Sequence, residues 1–194
     1  MSYHIYHTEA IILGGRAHGE GDRILYCYTR ELGLVFAHVK SVREGRSRLR
    51  YTLQTFAHVE VDLIRGKHGW KLISARPINS LETLWRHPKK RRVLSEVAAL
   101  LRRLIQGEES HTVLFDDVLS GFYFLSELEE DALLRSSELL LVIRLLAQLG
   151  YWGEKDAHPL LLEKELSPAA LAYAHTQRPE LLLRVNAALH ASQL

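Results

Sequence analysis

The stretch Lys40-Ser41-Val42-Arg43-Glu44-Gly45-Arg46-Ser47-Arg48-Leu49-Arg50-Tyr51 places five cations within eleven residues, with Glu44 as its single acid. Arginine presents a planar fork of N–H donors that meets two oxygens of one phosphate, and serine hydroxyls or loop amides add contacts blind to base identity. The glycine permits close main-chain approach, and Tyr51 sets a ring beside the charges. These residue types suit the grip of a sugar-phosphate chain; a solvated polar loop is the competing reading. Arg65, Lys67 and Lys71, with Trp70 among them, extend the same track. An aromatic in a basic groove stacks bases at roughly 1 to 3 kcal/mol each, although a core position is the commoner fate for such a tryptophan. Lys89-Lys90-Arg91-Arg92 follows Pro88 at a helix start. Four adjacent cations spread around a helix and oppose its dipole, which a nearby anion would relieve, so a secondary DNA or partner patch and a solvated helix end both fit.

Other chemistry finds less footing. The eleven histidines, at positions 4, 7, 18, 38, 58, 68, 87, 111, 158, 175 and 190, form no HExxH and no tight ligand cluster, so no metal site is expected. The single cysteine, Cys27, excludes an internal disulfide and a multi-cysteine zinc site, and its strand-like setting marks it as a small core residue. The acids between Glu127 and Asp131 resemble a solvated helix junction. Neither GxxxxGK[ST], GxSxG nor GxGxxG occurs, so no cofactor and no enzymatic reaction are expected.

At 194 residues with 47% hydrophobic content, the chain can bury a core unaided. The net charge of +2 conceals a division: residues 1–80 carry 12 Lys/Arg against 7 Asp/Glu, and residues 81–194 carry 13 against 16. An anionic partner would meet the first part. The opening MSYHIYHTEAIIL lacks a basic start followed by an unbroken apolar run, and Leu139 to Ile143 is too short to cross a bilayer, so a cytoplasmic location without a membrane is expected.

The elements that must carry these residues fall into two kinds. Five short β-rich segments are read near Tyr3 to Leu13, Arg23 to Thr29, Leu34 to Val39, Phe56 to Arg65 and Trp70 to Pro77, with Gly14-Gly15, Gly19 to Asp22, Gly33 and Gly66 to Gly69 as turns. In the fourth, Phe56, His58, Glu60, Asp62 and Ile64 alternate with Ala57, Val59, Val61, Leu63 and Arg65, so one face is mainly apolar. One or two helical turns fit Leu49 to Thr55, and five strands with a helix after the third is the order of an OB-type barrel. After a boundary near Asn79 to Thr83 the period becomes helical: Pro88 to Gln106, Thr112 to Leu128, Asp131 to Leu149, a short helix from Ser167-Pro168, and Pro179 to Ala191. The third, apolar nearly all round at Leu139 to Leu146, is expected at the centre. The fold class is α+β: an OB-type five-stranded barrel over 1–80 and an all-α domain over 81–194.

Read in order, Thr8-Glu9-Ala10-Ile11-Ile12-Leu13, Gly19-Glu20-Gly21-Asp22-Arg23-Ile24-Leu25, Tyr28-Thr29-Arg30-Glu31-Leu32-Gly33, Ser47-Arg48-Leu49-Arg50, Leu53-Gln54-Thr55-Phe56 and Leu145-Leu146-Ala147-Gln148-Leu149-Gly150-Tyr151 resemble the RecO family. The resemblance implies binding of single- and double-stranded DNA, annealing of complementary strands, and help with RecR in placing RecA on DNA coated by single-strand-binding protein. It puts Lys40, Arg43, Arg46, Arg48 and Arg50 in the family's basic loop, while Gly19, Glu20 and Arg23 are assigned to turn geometry and packing. Many members insert a four-cysteine zinc module after the Leu-Gly-Tyr element; here Gly150-Tyr151 is soon followed by Leu166-Ser167-Pro168 without it. An adaptor that binds repair proteins and holds DNA only weakly is the alternative.

Overall fold

The computed structural model describes residues 4–45, 47–79, 81, 84, 86–105, 107–153, 158–163 and 165–192. The chain divides into two compact units, residues 1–82 with 105–115 and residues 83–104 with 116–194.

In the first unit β1 (Ile5–His18), β2 (Asp22–Thr29), β3 (Gly33–Val39), β4 (His58–Gly66) and β5 (Gly69–Asn79) close into a barrel in the order β1-β2-β3-β5-β4. The short helix α1 (Leu49–Thr52) lies between β3 and β4, as an OB-type fold requires. β1 is long enough to serve two neighbours, pairing antiparallel with β4 from Ile5↔Ile64 to Ile11↔His58 and with β2 from Ala10↔Thr29 to His18↔Asp22. Gly14-Gly15, expected as a turn, is instead a bulge inside this strand, where the register shifts between Ile12 and Gly15. A Cβ on Gly15 would stand 2.6 Å from the Ile24 carbonyl oxygen, and Gly14 has φ +122°, so the glycines let the strand bend without ending it. The last seam is parallel, with Ala37 opposite Trp70 and His38 opposite Lys71.

Strand alternation decides what fills the barrel. Val59, Val61 and Leu63 of β4 meet Ala10, Ile12, Leu25, Cys27, Val35, Ala37 and Val39 inside, and Glu60 and Asp62 face out. Phe56 and His58 depart from the expected alternation. Phe56 precedes the strand with φ +71° and is buried. His58 is buried 3.6 Å from a Glu9 carboxylate oxygen, and desolvation lowers its pKa, which keeps the imidazole uncharged at neutral pH. Residues 105–115 also belong to this unit. Tyr28 points outward from β2 yet is fully buried, because the Phe115 ring lies 5.5 Å from it, and the Arg30 guanidinium sits 5.0 Å over that same Phe115 ring.

The helical elements are α2 (Pro88–Leu104), α3 (Thr112–Glu127), a 3-10 turn at Asp131–Leu133, α4 (Leu134–Gln148), α5 (Pro159–Leu162), α6 (Pro168–Thr176) and α7 (Arg178–Ala191). The expected third helix thus begins as a 3-10 turn, and α5, a single turn with Leu161 buried, was not anticipated. α4 is the central helix, touching α2, α5, α6 and α7. Its buried Arg144 donates to the carbonyl oxygens of Leu161 at 3.3 Å and Glu165 at 2.8 Å, so its charge is met by main-chain dipoles. Ser167 caps α6 by accepting from the Ala170 N–H, with Pro168 at its first turn.

Candidate nucleic-acid interface

The basic loop is a pinned structure. Val42 and Leu53 are buried in the barrel core and Leu49 packs against it, which turns Lys40, Arg43, Arg48 and Arg50 to solvent. Arg46 lies outside the described residues. Asp22, the first residue of β2, is the anchor: one carboxylate oxygen accepts the Ser41 N–H at 2.8 Å, and the other lies 2.7 Å from Nε2 of His38. The main-chain donor first, and then the histidine, hold the Asp22 carboxyl below its ordinary pKa. Ser41 adopts φ +52°, a strained value for serine that the bond to Asp22 offsets. The Arg43 main-chain N–H donates to the Gly21 carbonyl at 2.9 Å and its guanidinium donates to the Gly19 carbonyl at 3.2 Å. The 19–22 turn is therefore the cradle of the basic loop. Gly19 has φ +63°, and Arg23 sits in register with Ala17 and Val39, in keeping with turn geometry and strand packing.

Beside this loop the outer face of β2 and β3 forms an open groove of about 400 Å³, lined by Arg16, Ile24, Tyr26, Phe36, His38, His68, Gly69, Trp70 and Glu108. Tyr26 and Phe36 stand opposite each other in the strand register, with ring centroids 5.4 Å apart, and Phe36 is 54% exposed. An exposed ring in a groove that also holds Arg16 is a platform on which an unpaired base stacks. Sequence reading missed Arg16, Tyr26, Phe36 and His38, although the signal was present: Leu25 and Cys27 alternate with Tyr26, and Val35 and Ala37 bracket Phe36, so the small residues go in and the rings go out.

Trp70 is only 5% exposed and belongs to the barrel core, so it offers no face for stacking; its Nε1 donates to a Glu108 carboxylate oxygen at 2.8 Å. Arg65 donates to the other oxygen of Glu108 and lies 5.2 Å over the indole. Lys67 and Lys71 are exposed on the same hairpin.

The helix cluster does not offer four cations. Lys90 is 5% exposed and donates to the Ser126 carbonyl oxygen at 3.1 Å, which removes it from any surface. Lys89 pairs with Asp131 at 2.6 Å and Arg92 with Glu96 at 2.8 Å, and Arg91 is half-buried. Asp131 and Glu96 thus each pair one cation of the cluster within its own unit. Among the described residues no group of three histidine, cysteine or acidic side chains is arranged to hold a metal ion. Cys27 is fully buried, and desolvation pushes its thiol up to about 12, far from nucleophilic. Among the described residues no helix is long and apolar enough to cross a membrane.

Residues 1–81 match the family model described as "Recombination protein O N terminal". Over 150 residues, 77% of this chain and 53% of the relative, the sequence is 34% identical to the DNA repair protein RecO of Heliobacterium modesticaldum. The DNA repair proteins RecO of Clostridium novyi, at 29% identity over 76% of this chain and 57% of the relative, and of Dehalococcoides mccartyi, at 30% over 78% and 58%, are also similar. The chain spans little more than half the length of these relatives. The barrel whose groove and loop are described above thus matches the RecO N-terminal family, and the chain is similar to DNA repair proteins RecO over about three quarters of its own length.

Proposed function

We propose that this chain is a DNA-binding mediator of recombinational repair in the cytoplasm, which holds single- and double-stranded DNA and anneals complementary strands without a covalent step. In this reading it assists the loading of RecA, together with RecR, on DNA coated by single-strand-binding protein. One observation carries it: a basic loop pinned by Asp22 and Val42, so that Lys40, Arg43, Arg48 and Arg50 face out, adjoins a groove bearing an exposed aromatic platform. The loop supplies phosphate contacts that ignore sequence, and the platform holds a base apart from its neighbours. Those are the two requirements of a protein that brings strands together whatever their letters. The names of the relatives, DNA repair protein RecO, support the repair part of this reading.

Annealing of complementary oligonucleotides by the wild type and by a variant with Arg43, Arg46, Arg48 and Arg50 changed to alanine tests it. The expected outcome is loss of annealing with the folded state retained. Wild-type affinity should fall with salt by about 0.7 log units per log unit of salt for each phosphate contacted on a single strand. A flat salt response, or unchanged annealing by the variant, would overturn the reading. Capture of RecR and single-strand-binding protein by a chain that barely binds DNA would replace it with the adaptor.

A further inference from the structure

Where β4 turns into β5, two donors converge on one anion. The Trp70 indole N–H donates to one oxygen of Glu108 at 2.8 Å, and the Arg65 guanidinium donates to the other while lying 5.2 Å over the indole. An arginine fork and a fixed N–H aimed at two oxygens of a single negative group form a donor set that also fits two oxygens of a phosphodiester. Both Trp70 and Glu108 line the groove that carries Phe36.

Glu108 reaches this position from outside the barrel strands. Its segment is fixed by main chain on one side, since Gly33, at φ +66°, lies so close to Glu109 that a Cβ there would stand 2.3 Å from the Glu109 carbonyl oxygen. On the other side the Ser110 hydroxyl donates to the Arg30 carbonyl at 3.1 Å. The acid is therefore delivered to the donors by a connection with its own anchorage. The ion pair itself is open to water, with the Arg65 side chain 59% and the Glu108 side chain 37% exposed, and pairs of that kind exchange partners readily.

We propose that Arg65 and Trp70 form a phosphate subsite at the β4–β5 end of the groove, and that Glu108 is its resident stand-in, displaced when a nucleic-acid backbone phosphate arrives. The proposal rests on the reading that this groove takes nucleic acid. It makes Glu108 a competitor: the chain's apparent affinity is lower than its donors alone would give, and an oligonucleotide must displace a tethered carboxylate.

The test is equilibrium binding of a single-stranded oligothymidylate across a range of salt concentrations by wild type, Glu108→Gln, Arg65→Ala and the double variant. Glu108→Gln keeps an acceptor for the indole and removes the charge. It should bind several-fold more tightly than wild type across the salt range, because no tethered carboxylate has to be displaced before the same phosphate contact is made. Arg65→Ala should bind more weakly, and adding Glu108→Gln to it should change nothing further. If Glu108→Gln, folded by circular dichroism, binds no better than wild type, or if it tightens binding equally in the Arg65→Ala background, the proposal is overturned. Should Glu108→Gln disturb the fold, Glu108→Asp, which keeps the charge on a shorter arm, must tighten binding for the proposal to stand. Loss of affinity in the basic-loop variant beside a silent Glu108→Gln would sink this inference alone; absence of binding by wild type would sink the parent reading as well.

Discussion

Phe36 and Trp70 show why residue type alone does not place an aromatic. Both lie near cations, but Trp70 follows the inward register of β5 and is spent on the core, whereas Phe36 sits between the inward Val35 and Ala37 and is turned out. Phe36→Ala should therefore weaken single-strand binding by about 1–3 kcal/mol, the worth of one stacked base, and leave duplex binding, where bases are already stacked, nearly unchanged. Titration of the variant with single- and double-stranded oligonucleotides of one sequence checks this; an equal loss on both would refute the stacking role. The cations divide in the same way. Arg43 and Arg48 were readable as exposed because their stretch has too little apolar content to be buried. Lys90 was not, because the Ser126 carbonyl that holds it comes from another helix, and no local pattern records that meeting.

At the scale of elements, periodicity carried most of the information. The strands, the helix after β3 and the long helices fall within a few residues of where alternation and 3.6-residue spacing put them. Misreadings arose where a local signal has two physical meanings. Gly14-Gly15 reads as a turn, but a pair of glycines just after an apolar run is also what a sharply bent barrel strand needs. Gly15→Ala should cost about 1–3 kcal/mol through overpacking against Ile24 and Leu25. Gly45→Ala, with nothing within 4 Å of the added carbon, should stay within about 0.5 kcal/mol. Denaturant unfolding of both variants measures the contrast, and equal stabilities would contradict the bulge. The segment that brings Glu108 to Trp70 was illegible for a different reason: it has no period, and its placement rests on main-chain proximity at Gly33 and a few side-chain bonds.

For the molecule as a whole, stability and charge are linked in the helical unit. Glu138 of α4 shares a hydrogen bond with Glu96 of α2, and burial first, then that neighbour, pushes its carboxyl up to about 7 from an ordinary 4.5. Between those values the folded chain holds a proton that the unfolded chain has released, so the stability due to this group is present below pH 4.5 and lost as pH rises through 7. Glu96 is shifted the opposite way, by Arg92 first, and its contribution fades only at lower pH. Glu138→Gln, which cannot ionise, should gain stability relative to wild type from pH 5 to about pH 7 and level off above it in chemical denaturation; a difference that stays constant with pH would rule this out. The closed circuit of the barrel bears on association. Among the described residues each strand is hydrogen-bonded to a neighbour on either side, β1 to both β2 and β4, so the sheet has no terminal strand to template a further one. Main-chain augmentation, which recruits peptides to open sheets and drives their aggregation, is thereby confined to the strand edges beyond the two-residue β3–β5 seam, Ala37 opposite Trp70 and His38 opposite Lys71.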